Sequence, residues 1–305
     1  MDFYFTLNNG YKIPKLGLGT WMSANGEVGK AVEIGIKNGY RHIDCAKVYG
    51  NEKEVGDGIK NAIAKGYVKR EELFVTTKLW SSDKHKEDVR PACLESLKKL
   101  QLEYLDLYII HIPLTADKKT GEFTEEIIPI EETWREMEKL VEEGLVKSIG
   151  VSNFNIKKLE ELLAIAKIQP AVNQFEFHIY YQRPKLQEFC KEHNIHITGY
   201  APLGHPGISS TVPAPFENEV VKGIAKKHNK KASQICIKFS IASGHSVIPK
   251  SVHEERIKEN GEVFDFELDE EDMEKLRGLD KNMKVCDVSF YLTDERKRKE
   301  FWDDE

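Results

Sequence analysis

Four residues of this 305-residue chain carry side chains that can exchange protons or polarise a bound group: Asp44, Tyr49, Lys78 and His111. Asp44, Lys78 and His111 each end or follow a short apolar run, and Tyr49 lies five residues beyond Asp44. If those runs are neighbouring strands, an acid, a phenol, an ammonium and an imidazole reach one side of one mouth. Each residue alone has a plainer structural reading. Tyr49 fits a surface tyrosine before a helix, Asp44 and Lys78 a structural ion pair, and His111 a satisfied core histidine. Further polar groups share the placement: Thr20-Trp21, Ser152-Asn153, Gln174, Tyr200 and Lys250-Ser251 end or follow other such runs. Every run therefore ends in a group able to hydrogen-bond, ionise or stack.

The runs occupy residues 16–18, 42–44, 73–77, 105–110, 147–151, 171–175, 196–199 and 246–248, rich in β-branched and aromatic residues. Between them apolar residues recur at helical spacing, as in Val28, Ala31, Val32 and Gly35, or Val89, Cys93, Leu97 and Leu100. Asn51 with Glu54, and Ser251 with Glu254, have the spacing of capping boxes. Eight strand–helix alternations predict an α/β fold, a closed (β/α)8 TIM barrel whose site gathers at the C-terminal strand ends. An open dinucleotide-binding sheet would carry Gly-x-Gly-x-x-Gly, but Gly17-Leu18-Gly19 is followed by Met22 at the last position. Asn9-Gly10 predicts a hairpin within residues 1–14. Residues 112–128 read as a long loop and 281–305 as a charged C-terminal tail, all in one domain spanning 1–305.

Composition narrows the classes. The chain is 40% apolar and 31% charged, with 45 basic against 51 acidic residues and a formal charge of −6. A mildly acidic chain is a poor nucleic-acid binder, and no apolar stretch approaches the roughly 20 residues that span a bilayer. Cys45, Cys93, Cys190, Cys236 and Cys286 are scattered, as expected of free thiols in a reducing cytoplasm. His-Glu-x-x-His and Cys-x-x-Cys are both absent, so no metal is expected.

The segments Gly17-Leu18-Gly19-Thr20-Trp21, Asp44 through Tyr49-Gly50-Asn51-Glu52, and Thr77-Lys78-Leu79-Trp80 follow in order. Ile149-Gly150-Val151-Ser152-Asn153-Phe154 and Ile248-Pro249-Lys250-Ser251 come after them. Together, from about residue 4 to about residue 286, they resemble the aldo-keto reductase superfamily, most closely its aldose reductase and xylose reductase branch. The resemblance implies NADPH-dependent reduction of aldoses or other small aldehydes to alcohols by hydride transfer. It implies Tyr49 as general acid, Lys78 and Asp44 behind it, and His111 beside the substrate carbonyl. A phenol's ordinary pKa of about 10 is high for a donor near neutrality, and a neighbouring ammonium is expected to lower it. Asp44 would compensate the buried lysine, and His111 would polarise the carbonyl.

For the cofactor, the resemblance implies Ser152, Asn153 and Gln174 on the carboxamide, Tyr200 stacked on the nicotinamide, and Glu259 and Asn260 facing the adenine. Lys250, Ser251 and Arg256 open a helix whose N-terminus suits an anion, and the two cations suit a ribose 2′-phosphate, hence NADPH over NADH. Thr20, Trp21 and Leu203 complete the implied cofactor contacts. Trp21, Val48, Trp80, His111, Ile112 and Cys286 form the implied substrate pocket.

Three positions depart from the family. Ile112 follows the histidine where relatives commonly carry Trp or Phe, which implies a larger, flatter wall. Gly207 stands where an aspartate would help latch the loop of residues 201–207 to Lys250, and Asp287 follows Cys286 in place of a small or apolar residue. Two other functions remain open. Lys78 could form a Schiff base, as in class I aldolases, although Asp44 beside it favours the charged amine. Some relatives are non-catalytic NADPH-binding subunits. The expected partner is a small aldehyde, with no nucleic acid or membrane, and the expected state a monomer or weak dimer.

Overall fold

The computed structural model describes residues 2–204, 212–287 and 301. It opens with the hairpin expected at Asn9-Gly10, in which β1 (Tyr4–Thr6) pairs antiparallel with β2 (Lys12–Pro14). Leu7 and Ile13 pack on Phe74, Leu107, Ile109, Ala171 and Val172, so the hairpin plugs one end of the barrel.

That barrel has eight parallel strands: β3 (Gly17–Gly19), β4 (His42–Asp44), β5 (Phe74–Leu79) and β6 (Leu107–Ile110), then, after a two-stranded excursion, β9 (Ile149–Ser152), β10 (Val172–Glu176), β11 (His196–Tyr200) and β12 (Ser246–Val247). The excursion, β7 (Thr115–Ala116) with β8 (Phe123–Thr124), is an antiparallel hairpin inside the segment read as a bare loop. Each barrel strand pairs with the next, and bridges Leu16↔Val247 and Gly19↔Lys250 join first to last. At that seam a Cβ on Gly19 would lie 2.8 Å from the Ile248 carbonyl oxygen, so only glycine lets the barrel close there.

All eight predicted strands form, one with the expected bounds and the others with ends shifted by at most two residues. The third runs on through Leu79, so Lys78 lies within the strand and its side chain is withdrawn from water. Around the barrel lie α1 (Val28–Lys37), α2 (Glu52–Ala64), α3 (Lys86–Leu100), α4 (Ile130–Glu142), α5 (Ile156–Leu163), α6 (Pro184–Glu192), α7 (Glu219–His228), α8 (Ala232–Ala242), α9 (Glu254–Gly261) and α10 (Glu270–Arg277). Their apolar stripes and the outward faces of the strands merge into one core.

The two predicted capping boxes do not form. Asn51 precedes α2 but gives its Nδ2–H to the Thr20 carbonyl (2.9 Å), while Glu54 accepts from the Gly26 N–H. His253, not Ser251, precedes α9, and Ser251 Oγ instead accepts from the His253 N–H in a local turn. In both cases a tertiary or turn partner outcompetes the helix end for the same side chain. Among the described residues no helix is long and apolar enough to cross a membrane.

Candidate active site

The C-terminal strand ends surround a cavity of about 930 Å³. Every site residue expected from the sequence lines it except Lys78, which is buried behind the wall. β4 delivers Asp44, the turn after it Tyr49, and β5 Lys78; His111 follows β6 directly. Strand adjacency puts the four side by side, because β4, β5 and β6 are consecutive in the sheet.

The Lys78 ammonium has three N–H bonds and three acceptors. They are Asp44 Oδ1 at 2.5 Å, the Cys45 carbonyl at 2.9 Å and the Tyr49 hydroxyl at 3.3 Å. Asp44 Oδ2 accepts from Gln174 Nε2 at 2.8 Å, so the buried carboxylate is satisfied on both sides. Burial pulls the Lys78 pKa down, but Asp44 and Tyr49 raise it more, and it stays charged. For Tyr49 burial is the largest influence and raises the pKa; Lys78 lowers it, Asp44 raises it again, and the phenol is pushed up to about 12. The acidified phenol expected from the sequence is therefore corrected: Lys78 acts in the expected direction and is outweighed.

His111 stands edge-on to Tyr49, ring centroids 5.7 Å apart, and to Trp80 at 5.3 Å. Burial, helped by the Lys78 charge, holds its pKa well below the usual histidine range, so it is neutral. Its Nδ1 is buried without a partner among the described residues. A proton on that buried Nδ1 would have no acceptor, which favours the tautomer carrying it on Nε2.

The nicotinamide candidates are tied to one another. Ser152 Oγ donates to the Gln174 carbonyl (2.8 Å), and Asn153 Nδ2 donates to the His111 carbonyl (3.0 Å) and to Ser152 Oγ. Tyr200 OH donates to Asn153 Oδ1 at 2.8 Å, fixing its ring against the cavity. Asn153 holds φ 62°, a left-handed backbone that asparagine tolerates. Thr20 Oγ1 donates to the Asp44 carbonyl, which ties the first strand end to the second.

At the far end Arg256 is exposed and makes no ion pair among the described residues, Ser233 Oγ donates to Glu259 Oε1 (3.2 Å), and Asn260 is buried. Lys250 reaches across to the Met22 carbonyl at 3.0 Å. Leu203 lines the cavity, whereas Gly207 lies outside the described residues. The sequence reading missed Phe216, Lys231, Ala232 and Ser233, which also line this end. Lys231 immediately precedes α8 and Ala232 and Ser233 open it, a helix buried on nearly all sides that so shows no amphipathic period.

On the substrate side Trp21 (41% exposed) and Val48 (43%) form an open apolar rim. Ile112 is buried against Phe301, with Trp80, Leu114 and Phe123 around them. The room left by a small residue at 112 is thus partly taken by a phenylalanine from the tail and one from β8. Phe290, Tyr291 and Trp302, the other aromatic residues of the tail, lie outside the described residues. Also unforeseen is Glu176, buried at the end of β10. Its Oε1 accepts from the Val285 N–H (2.6 Å) and its Oε2 from the Cys286 N–H (2.7 Å), holding Cys286 at the cavity wall. His178 Nε2 lies 2.8 Å from the same carboxylate.

Among known proteins, the model of the aldo/keto reductase family matches residues 15–281. Aldose reductase B of Dictyostelium discoideum is 46% identical, over 92% of this chain and 94% of that one. The structure of the aldose reductase from Schistosoma japonicum superposes with a TM-score of 0.90 at 40% identity, covering 97% of each chain. That of a Bombyx mori aldo-keto reductase in complex with NADP gives 0.90 at 37% identity, over 95% of this chain and 96% of that one.

Proposed function

The chain belongs to the aldo/keto reductase family, whose cofactor is NADPH, and from that premise we propose that it reduces aldoses and other small aldehydes to alcohols with Tyr49 as proton donor. The cavity suits the dinucleotide on its own terms. One end carries Arg256, which no carboxylate among the described residues engages, beside the N-terminus of α9, where a phosphate is favoured. The other end offers the Tyr200 ring and the amide of Gln174, whose Oε1 has no partner among the described residues.

The observation that carries the reading is the set of acceptors around Lys78. Because the ammonium donates to the Tyr49 oxygen, the phenol's own hydrogen is directed away from Lys78, toward the cavity. Nε2–H of neutral His111 supplies a second donor at the same wall. A carbonyl oxygen lodged between them accepts from both, which orients and polarises it. NADPH held by Tyr200, Gln174, Ser152 and Asn153 would supply the hydride that the carbonyl carbon accepts. Tyr49 gives its proton to the oxygen as negative charge develops there, and Lys78 steadies the phenolate left behind. Asp44 keeps Lys78 charged throughout. The apolar rim of Trp21, Val48 and Trp80 excludes water and receives the rest of the aldehyde.

A Schiff-base role for Lys78 is not supported, since a nucleophilic amine must be uncharged and Asp44 holds this one protonated. The four intact proton-handling groups speak for turnover rather than for a cofactor-binding subunit acting in the cytoplasm without chemistry. The test is NADPH consumption by the purified protein with glyceraldehyde, xylose and an aromatic aldehyde. Turnover is expected with at least one of them; NADPH binding without consumption on all three would contradict the proposal.

A further inference from the structure

We propose that Lys231, together with Arg256, selects NADPH over NADH by forming the second half of a two-cation clamp on the ribose 2′-phosphate. Lys231 immediately precedes α8, a helix nothing in the sequence patterning marked, and it lines the same end of the cavity as Arg256. The start of α8 is fastened to the second half of α9. Ser233 Oγ donates to Glu259 Oε1 at 3.2 Å, and Gln234 Nε2 to the Glu259 carbonyl at 2.9 Å. Lys231 lies two residues before Ser233 and Arg256 one helical turn before Glu259, so each cation is close in sequence to one partner of this tie, and both line the cavity.

The charges near Lys231 sharpen the assignment. Lys230 beside it is committed to Asp265 at 2.7 Å, and Lys227 to Asp269 and Asp272. Among the described residues Lys231 and Arg256 hold no carboxylate, and Lys250 is turned to the Met22 carbonyl. Two such cations facing one cavity in a chain of net charge −6 call for an anion of their own. A phosphate monoester, with up to two negative charges and three acceptor oxygens, takes an ammonium on one side and a guanidinium fork on the other. NADH offers a neutral hydroxyl there and gains from neither.

The inference rests on NADPH lying with its adenosine end between α8 and α9, and direct binding separates the two claims. Dissociation constants for NADPH, NADH, 2′,5′-ADP and 5′-ADP are measured by fluorescence titration on the wild type, Lys231→Ala, Lys231→Arg and Arg256→Ala. Lys231→Ala is expected to weaken NADPH and 2′,5′-ADP about tenfold and to leave NADH and 5′-ADP within twofold; Lys231→Arg retains tight binding. Equal losses for all four ligands in Lys231→Ala would overturn the clamp in favour of a structural role at the helix start. Selectivity lost in Arg256→Ala but unchanged in Lys231→Ala would overturn the role of Lys231 and leave the cofactor's placement standing. No change of selectivity in either would overturn both.

Discussion

The hydroxyl of Tyr49 lies between opposing demands. Burial holds its proton on, with the pKa pushed up to about 12, while Lys78 at 3.3 Å stabilises the anion once the proton has left. A donor this weak still suffices, because an alkoxide is about as basic as hydroxide, and water has a pKa of about 15.7. The sign of the pH dependence follows. With the pKa above the working range, the phenol is fully protonated through about pH 6 to 9 and the phenolate fraction rises about tenfold per unit. Aldehyde reduction, which uses the phenol, should keep a constant kcat over that range. Alcohol oxidation with NADP⁺, which uses the phenolate, should accelerate with each step in pH. Rate profiles in both directions check this, and a reduction rate falling steadily from pH 6 would contradict it. The identities of the four groups were legible because strand ends are readable. The direction of the Tyr49 shift was not, because burial depends on packing across the barrel and leaves no trace in spacing.

Elements were readable where one face differs from the other. The helices α1 to α7 carry such a signal, whereas α8 buries Ile235, Ile237, Phe239 and Ser240 around its whole circumference. The strands were readable differently, most of them as short unbroken apolar runs buried on both faces. The loss of α8 from the sequence reading removed Lys231 and Ser233 from the expected site. The capping boxes failed for a related reason: Asn51 and Ser251 have the right local spacing, but partners distant in sequence or in a tight turn claim their side chains. The Glu176 clamp on Val285 and Cys286 spans 109 and 110 residues, a separation at which one sequence shows no pattern.

For the molecule as a whole, barrel closure follows from alternation, and so does the placement of the site at one mouth. The cost is a set of histidines held out of water, His42 and His245 fully and His196 largely. Burial holds His42, His196 and His245 at a pKa of about 3; Lys78 adds to this for His42, His42 for His196, and His196 for His245. In the unfolded chain each titrates near 6.5. Folded values depressed below unfolded ones mean that the unfolded state binds more protons, so stability is intact above about pH 6.5 and drains as pH falls from there toward about 3. Each histidine withdraws up to roughly 1.4 kcal/mol per pH unit once the pH is well below 6.5, so even one of them removes a sizeable part of a total stability of about 5–15 kcal/mol. Denaturant midpoints should therefore be level from about pH 7 to 8 and drop steeply by about pH 5; a midpoint unchanged at pH 5 would refute the buried neutral state.

Replacing Tyr49 by phenylalanine, which removes one oxygen from the cavity wall and leaves the cofactor end untouched, probes proton donation most directly. NADPH affinity by fluorescence titration and kcat for aldehyde reduction are measured on the same preparation. The expected result is an NADPH dissociation constant within twofold of wild type and a kcat lower by about 10²- to 10⁴-fold. A Tyr49→Phe protein that binds NADPH normally and turns over at a rate near wild type would contradict it.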